Sequence, residues 1–359
     1  MRRSSIVLSI VAAALVVTIN TAAACTTFNL RGDDVNIFGR NYDWSVRNGV
    51  VLVNKRGVIK TAMKVKDETG IPATWKSKYG SITFNQYGRE LPAGGINEAG
   101  LVVEEMMLTQ GQYPLPDSRP YIISGQFKQY LLDNFCTVKE IIKSDSLIRI
   151  SSMDNVPVVV HFLVSDQSGD CAVIEFIGGK SVVYTGDSMP VRALTNSPYD
   201  ESLMYWKAKK IPSVPSHKQS SIKRFIHAAD AASSFDSKAI QSPVDYAFGI
   251  LKQVAQGDKT KWSIIYDINK LQVFYHTSKN AETRMIDLKQ FDFSCKSPVQ
   301  VIDIDAGSGD ISKAFQAYTV EANRTLIGIT FEKTSFLKII PSQVLDAIAA
   351  YPGSLKCAE

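Results

Sequence analysis

One short segment constrains this chain more than any other. Arg2 and Arg3 precede an apolar run from Ile6 to Ile19, the run ends in Ala22-Ala23-Ala24, and Cys25 follows at once. A basic start, an apolar stretch shorter than the roughly 20 residues of a membrane-spanning helix, and small residues at its end read as a cleavable export signal. Residues 1–24 are therefore expected to be removed, leaving residues 25–359 as a single periplasmic or secreted domain. No later segment is apolar for long enough to predict a transmembrane span after cleavage. Two different chemistries begin with an exposed terminal cysteine. In a membrane-anchored lipoprotein the thiol carries lipid; in an N-terminal nucleophile it attacks an amide, with the free α-amine as base. Ala22 stands where a lipidation signal normally has Leu. A lipoprotein also usually continues into a polar tether, whereas Cys25–Leu30 reads as a strand, with Arg31-Gly-Asp-Asp34 as the turn into a second strand, Val35–Tyr42.

The remaining composition removes other functions. With 40 basic and 35 acidic side chains among 359 residues, the net charge is +5. Losing Arg2 and Arg3 lowers it further, and no basic cluster is present, so nucleic acid is not expected as a partner. Four His and five Cys are scattered, with no HExxH, paired CxxC or Gly-rich phosphate loop, so no metal and no cofactor is expected. Asp303–Asp310 resembles a calcium loop only superficially, because Ala314 occupies the position that needs Glu.

Further strands are expected at Val50–Lys55, Ser81–Phe84, Leu101–Met107, Val158–Val164, Cys171–Ile177, Ser181–Tyr184, Trp262–Asp267 and Leu271–His276. Helices are expected at Ile122–Asn134, Val138–Ser144, Ser220–Ala232 and Pro243–Gln256. The second opens with a Thr137…Glu140 capping box, and the last has Ser242 as cap and Pro243 at its first position. Helices fall in blocks between runs of strands, which predicts an α+β fold with antiparallel sheets. Pro212–Ser221 reads as an exposed loop, and Cys136 and Cys171 as buried thiols.

Eighteen positions separate Cys25 from Asp43, in Gly39-Arg40-Asn41-Tyr42-Asp43-Trp44. A hairpin turning near Asp33 returns Arg40 and Asp43 to the start of the first strand. There a cation lowers a thiol pKa and a carboxylate orients an amine. An α-amine, with a pKa of roughly 8, then serves as base without any histidine. A surface ion pair at a strand end would leave the same trace in the sequence.

These residues resemble the choloylglycine hydrolase family, which includes bile salt hydrolases and penicillin V acylases. Cys25-Thr-Thr27 and Phe38-Gly-Arg-Asn-Tyr-Asp-Trp44 are followed in the family's order by Gly95-Ile-Asn-Glu-Ala-Gly-Leu101, Asp170-Cys-Ala-Val-Ile-Glu175, Leu194-Thr-Asn-Ser-Pro198, Ser220-Ser-Ile-Lys-Arg-Phe225 and Trp262-Ser-Ile-Ile-Tyr-Asp267. The resemblance implies a four-layer αββα sandwich with two antiparallel sheets and, as is frequent in the family, a homotetramer; the exposed Pro212–Ser221 loop is where its contacts would be sought. It also implies an amide hydrolase in which Cys25 is nucleophile and base. Asp43 would hold the amine and Arg40 would sit beside the sulfur. Asn196 and the backbone N–H of Met107 would bind the oxyanion, and Arg224 would complete the polar network. Met107 stands where relatives carry Asn or Tyr, so an apolar acyl group is favoured over a hydrogen-bonded steroid. Tyr42, Trp44, Met106 and Leu108 are expected to line that pocket. The substrate class is then a small acyl amide, with penicillin V, N-acyl homoserine lactones and conjugated bile salts as candidates. A ligand-binding lipoprotein anchored through Cys25 is the alternative. Glu104 and Glu105 would face opposite sides of a strand and form no glycosidase pair. In an oxidising compartment Cys295 and Cys357 could pair.

Overall fold

The computed structural model describes residues 24–64, 68–152 and 158–358. Most of the expected export signal, residues 1–23, lies outside this range. Two large antiparallel sheets stack face to face. One has seven strands in the order Ala193–Leu194, β1 (Thr26–Arg31), β2 (Asn36–Asp43), Thr260–Asp267, Gln272–Thr277, Arg284–Asp287 and Gly309–Asp310, the last joining in parallel. The other has nine, in the order Lys180–Thr185, Cys171–Ile177, Val160–Ser165, Val102–Met107, Pro92–Asn97, Ser81–Asn85, Val50–Asn54, Gln300–Asp303 and Gln316–Ala317.

Helices cover both outer faces. On the nine-stranded sheet lie α1 (Ser124–Asn134) and α2 (Val138–Ser144), packed through Leu131, Leu132 and Ile141 against Val103, Phe162 and Phe176. The seven-stranded sheet carries α3 (Tyr199–Lys207), α4 (Ser216–Ser233) and α5 (Pro243–Gln253). Phe38, Ile82, Val102 and Tyr266 fill the space between the sheets. The result is the expected αββα sandwich. Because both sheets are covered on both faces, inner strands bury every position; β2 is buried from Asn36 to Asp43. That burial accounts for the weak alternation in these strands.

Local chemistry sets several boundaries. Thr137 and Glu140 form the expected capping box, and Ser242 caps α5. The helix α5 ends at Gln253 rather than Gln256, because the Gln256 N–H donates instead to Thr260 Oγ1 at 2.8 Å. Pro215 precedes α4, which starts at Ser216, so only the first part of Pro212–Ser221 is a loop. The Gly95–Leu101 motif is a turn: Asn97 Oδ1 accepts from the N–H groups of Ala99 and Leu101, and Gly100 supplies a φ of +83°.

Three helices have no counterpart in the sequence reading: α3, α6 (Val320–Lys333) and α7 (Ser342–Ala350). The last two form a separate apolar cluster in which Ile327, Phe331, Leu337 and Ile348 pack with Leu91 and Tyr121. A disulfide between Cys295 and Cys357 fastens the end of this C-terminal segment. Cys171 is buried as expected, but Cys136 is half-buried: it lies in the bend between α1 and α2 rather than on an apolar face. Asp303 ends a strand and Gly309 begins another, so the calcium-like stretch is a turn.

Candidate active site

The β1–β2 hairpin pairs Thr26 with Asn41 and Arg31 with Asn36. One step further along this register, Tyr42 lies across from Cys25 and Asp43 beside the Ala24–Cys25 peptide. Cys25, Arg40 and Asp43 are thus brought together and buried. Arg40 Nη2 lies 3.7 Å from the Cys25 sulfur, and the thiol faces the Asp43 carbonyl at 4.0 Å. A bulge at Thr260–Trp262 aligns Thr260 with Asp43, and its hydroxyl donates to Asp43 Oδ1 at 2.5 Å. Asp43 Oδ2 is buried and has no partner among the described residues. An amine at Cys25 would be its natural donor.

Arg224 reaches the hairpin from α4. It donates to the Cys25 carbonyl, to Thr26 Oγ1 at 2.7 Å and to Asn196 Oδ1 at 3.1 Å. The last contact fixes the Asn196 amide with its nitrogen forward, where Nδ2 donates to the Met107 carbonyl at 3.0 Å and keeps a second N–H in hand. Met107 pairs with Val160, while the neighbouring Leu108 N–H donates to Val159. By the antiparallel alternation, the Met107 N–H points off the opposite edge, to the side of its own carbonyl and of Asn196. On that edge the ladder ends at Gly94–Glu104. Asn196 and Met107 therefore bring two N–H groups together, as an oxyanion requires. Behind them His161 bridges Glu175 at 2.7 Å and the Thr195 carbonyl at 2.6 Å, which holds the loop that carries Asn196.

An open pocket, about 840 Å³ with the solvent space at its mouth included, begins at Cys25. Tyr42, Trp44 and Met107 line it as expected. Met106 and Leu108 do not: Met106 points into the core between the sheets, and Leu108 is buried away from the pocket. The wall they were expected to form comes instead from Tyr87, Leu91, Val160 and the C-terminal Phe331, Phe336 and Leu337. Phe336 packs edge-on to Trp44, with ring centroids 6.2 Å apart.

Glu104 and Glu105 do occupy opposite faces, but each has work that the sequence reading missed. Glu104 pairs with Arg40 and accepts from Tyr266 at 2.5 Å, both carboxylate and guanidinium being buried. Gly94 permits this, since a Cβ there would lie within 2.0 Å of the Glu104 carboxylate. Glu105 pairs with Lys128 in the pocket wall. Two carboxylates in a buried strand each demand a cation, and that demand is the signal that could have pointed to Arg40 and Lys128.

Burial dominates the electrostatics. With Cys25 joined to Ala24 it pushes the thiol up, outweighing the lowering by Arg40 that the sequence led us to expect. It lifts Asp43 from 3.8 to about 6, against the pull of Thr260, Arg224 and Arg40. It also lowers Arg224 to about 10, opposed by Asp43 and Cys25. A neutral thiol needs a base at the moment of attack, which suits an adjacent amine. Among the described residues no His, Cys, Asp or Glu cluster could hold a metal ion.

A buried cysteine heading an inner strand of an αββα sandwich is the arrangement expected of an N-terminal-nucleophile hydrolase, and solved structures share the fold. Penicillin V acylase from Agrobacterium tumefaciens aligns with a TM-score of 0.67 at 22% identity, over 82% of this chain and 98% of its own. A variant of the conjugated bile acid hydrolase from Clostridium perfringens aligns with a TM-score of 0.63 at 19% identity, over 79% of this chain and 98% of its own. Penicillin V acylase from Pectobacterium atrosepticum is 26% identical over 319 residues, covering 76% of this chain and 82% of that protein. Residues 25–224 match the linear amide C–N hydrolases of the choloylglycine hydrolase family. The chain belongs to that family and is a hydrolase of linear amide C–N bonds.

Proposed function

We propose that Cys25 becomes the first residue when residues 1–24 are removed on export to the periplasm or beyond, and that it then cleaves amides with an apolar acyl group. The α-amine takes the thiol proton as sulfur attacks the amide carbonyl, and a C–S bond forms. Met107 N–H and Asn196 Nδ2 hold the resulting oxyanion. Collapse breaks the C–N bond, and the ammonium returns its proton to the leaving amine. Water, activated by the same amine, hydrolyses the thioester and restores the thiol. Asp43 orients the amine, Arg40 sits beside the sulfur, and Arg224 fixes the Cys25 carbonyl and Asn196.

The observation that carries the substrate reading is the pocket wall of Trp44, Tyr87, Leu91, Met107, Phe331 and Phe336. It suits the aryloxyacetyl group of penicillin V or a fatty acyl amide such as an N-acyl homoserine lactone better than a conjugated bile salt, whose hydroxyls would find few partners. The lipoprotein alternative has no support, since the Cys25 thiol is enclosed at a strand start. A homotetramer is the assembly proposed, with contacts at the loop before α4, where Ile211 is 49% exposed; sedimentation checks it.

The test compares wild type and Cys25→Ser on those three substrate classes, with mass spectrometry of the N-terminus. A free Cys25 and near-complete loss of turnover in the folded variant are expected. Wild-type turnover by Cys25→Ser on every amide would refute the mechanism, as would a lipid adduct on the sulfur.

A further inference from the structure

The pocket wall contains one charged group that amide cleavage leaves unused. Lys128, one turn into α1, lines the pocket with Glu105, Ser124 and Gly125. Its side chain is only 3% exposed. Its Nζ donates to Glu105 Oε2 at 2.5 Å and to the Ser124 carbonyl at 3.2 Å. An ammonium carries three N–H donors, and among the described residues these two acceptors use two of them. A buried donor without an acceptor costs free energy, which a ligand recovers by bringing an acceptor. The surroundings are mostly apolar: Val158, Val160, Leu91 and Phe331 line the same pocket. Burial therefore holds the ammonium below the usual lysine range while Glu105 pulls it back.

The pairing also selects the ligand's charge. Glu105 makes the pair neutral as a unit, so a carboxylate entering here would meet a second carboxylate. An uncharged acceptor meets only the spare N–H. We propose that Lys128, positioned by Glu105, determines specificity by donating its third N–H to an uncharged oxygen on the acyl chain of the substrate: an ether, keto or hydroxyl oxygen. This inference rests on the amidase reading above and names the acyl class that site prefers.

The test uses the mature enzyme and amides of one common amine, in pairs differing only by oxygen against CH2. An ether arm compares phenoxyacetyl with 3-phenylpropanoyl; a keto arm compares 3-oxodecanoyl with decanoyl. A glutaryl amide tests for carboxylate recognition. The readout is the kcat/KM ratio within each pair, so a general loss of activity cancels. Wild type is expected to favour the oxygenated member at least about tenfold in one or both arms, as for a hydrogen bond to a charged group. The arm that responds identifies the source of the oxygen. In Lys128→Met the ratio falls toward one. Should a lone Glu105 prevent that variant from folding, Glu105→Leu/Lys128→Met removes both charges and gives the same expectation. Equal kcat/KM within both wild-type pairs, an unchanged ratio in the variant, or a preference for glutaryl overturns this inference alone. No turnover of any amide overturns the amidase reading with it.

Discussion

Asp43 offers a sharp test, because its energetics should reverse once residues 1–24 are removed as proposed. With Cys25 joined to Ala24, the Asp43 carboxyl is fully buried, and burial raises its pKa from 3.8 to about 6. Each pH unit of separation is about 1.4 kcal/mol, so keeping Asp43 ionised at pH 7 costs the folded state about 3 kcal/mol. The sign follows from proton binding. An acid with a raised folded pKa contributes stability that is fully present below about pH 4 and is lost as the pH rises through about 6. Asp43→Asn carries no charge and lacks this dependence. In protein that retains residue 24, the variant should therefore gain on wild type between pH 4 and pH 7, by up to about 3 kcal/mol less whatever the Thr260 contact loses. In cleaved protein the Cys25 ammonium supplies the partner that Asp43 Oδ2 lacks, so wild type should recover and the gain shrink or change sign. Urea melts of both forms at pH 4, 5.5 and 7 measure this. A stability difference independent of pH in the uncleaved form, or one in which wild type gains as pH rises, would refute the reasoning.

Asn196→Ala removes one oxyanion donor and should lower kcat about 100- to 1,000-fold with little change in KM, as steady-state kinetics would show. Glu104→Gln leaves Arg40 as a buried cation without its carboxylate, an expected loss of about 3–5 kcal/mol in a denaturant melt. Cys357→Ser opens a loop with a sequence separation of 62, which should cost about 4 kcal/mol in the same assay; an unchanged midpoint would place the C-terminal segment's stability in its apolar packing alone.

Legibility in the sequence followed distance along the chain. The hairpin bearing Cys25, Arg40 and Asp43 was readable because the turn at Asp33 sets its register locally. Asn196 and Arg224 were not readable from local pattern; Arg224 meets Cys25 across 199 positions, Asn196 joins through Arg224 and Met107, and only the family resemblance placed them. Met106 and Leu108 were misassigned because a strand turns alternate side chains away, and knowing which face meets the pocket requires the opposite sheet. Phe331, Phe336 and Leu337 look like ordinary apolar residues of a terminal segment, and nothing nearby in sequence reveals what they cover. Arg40 was correctly placed beside the sulfur, yet its charge does not win there, because the burial that decides the thiol's state is a property of the assembled sandwich.

The disulfide-fastened segment adds to the pocket from outside the family-matched stretch. Residues 25–224 match the family and hold Cys25, Arg40, Asp43, Met107, Asn196 and Arg224, whereas Phe331, Phe336 and Leu337 close the pocket from outside that stretch. The pocket wall is thus shared between the stretch that carries the sulfur and a terminal segment outside it. Variation in the terminal segment can retune which acyl group enters while the residues around the sulfur stay as they are. For engineering, grafting a different terminus onto this core is a more direct route to new substrates than altering the hairpin.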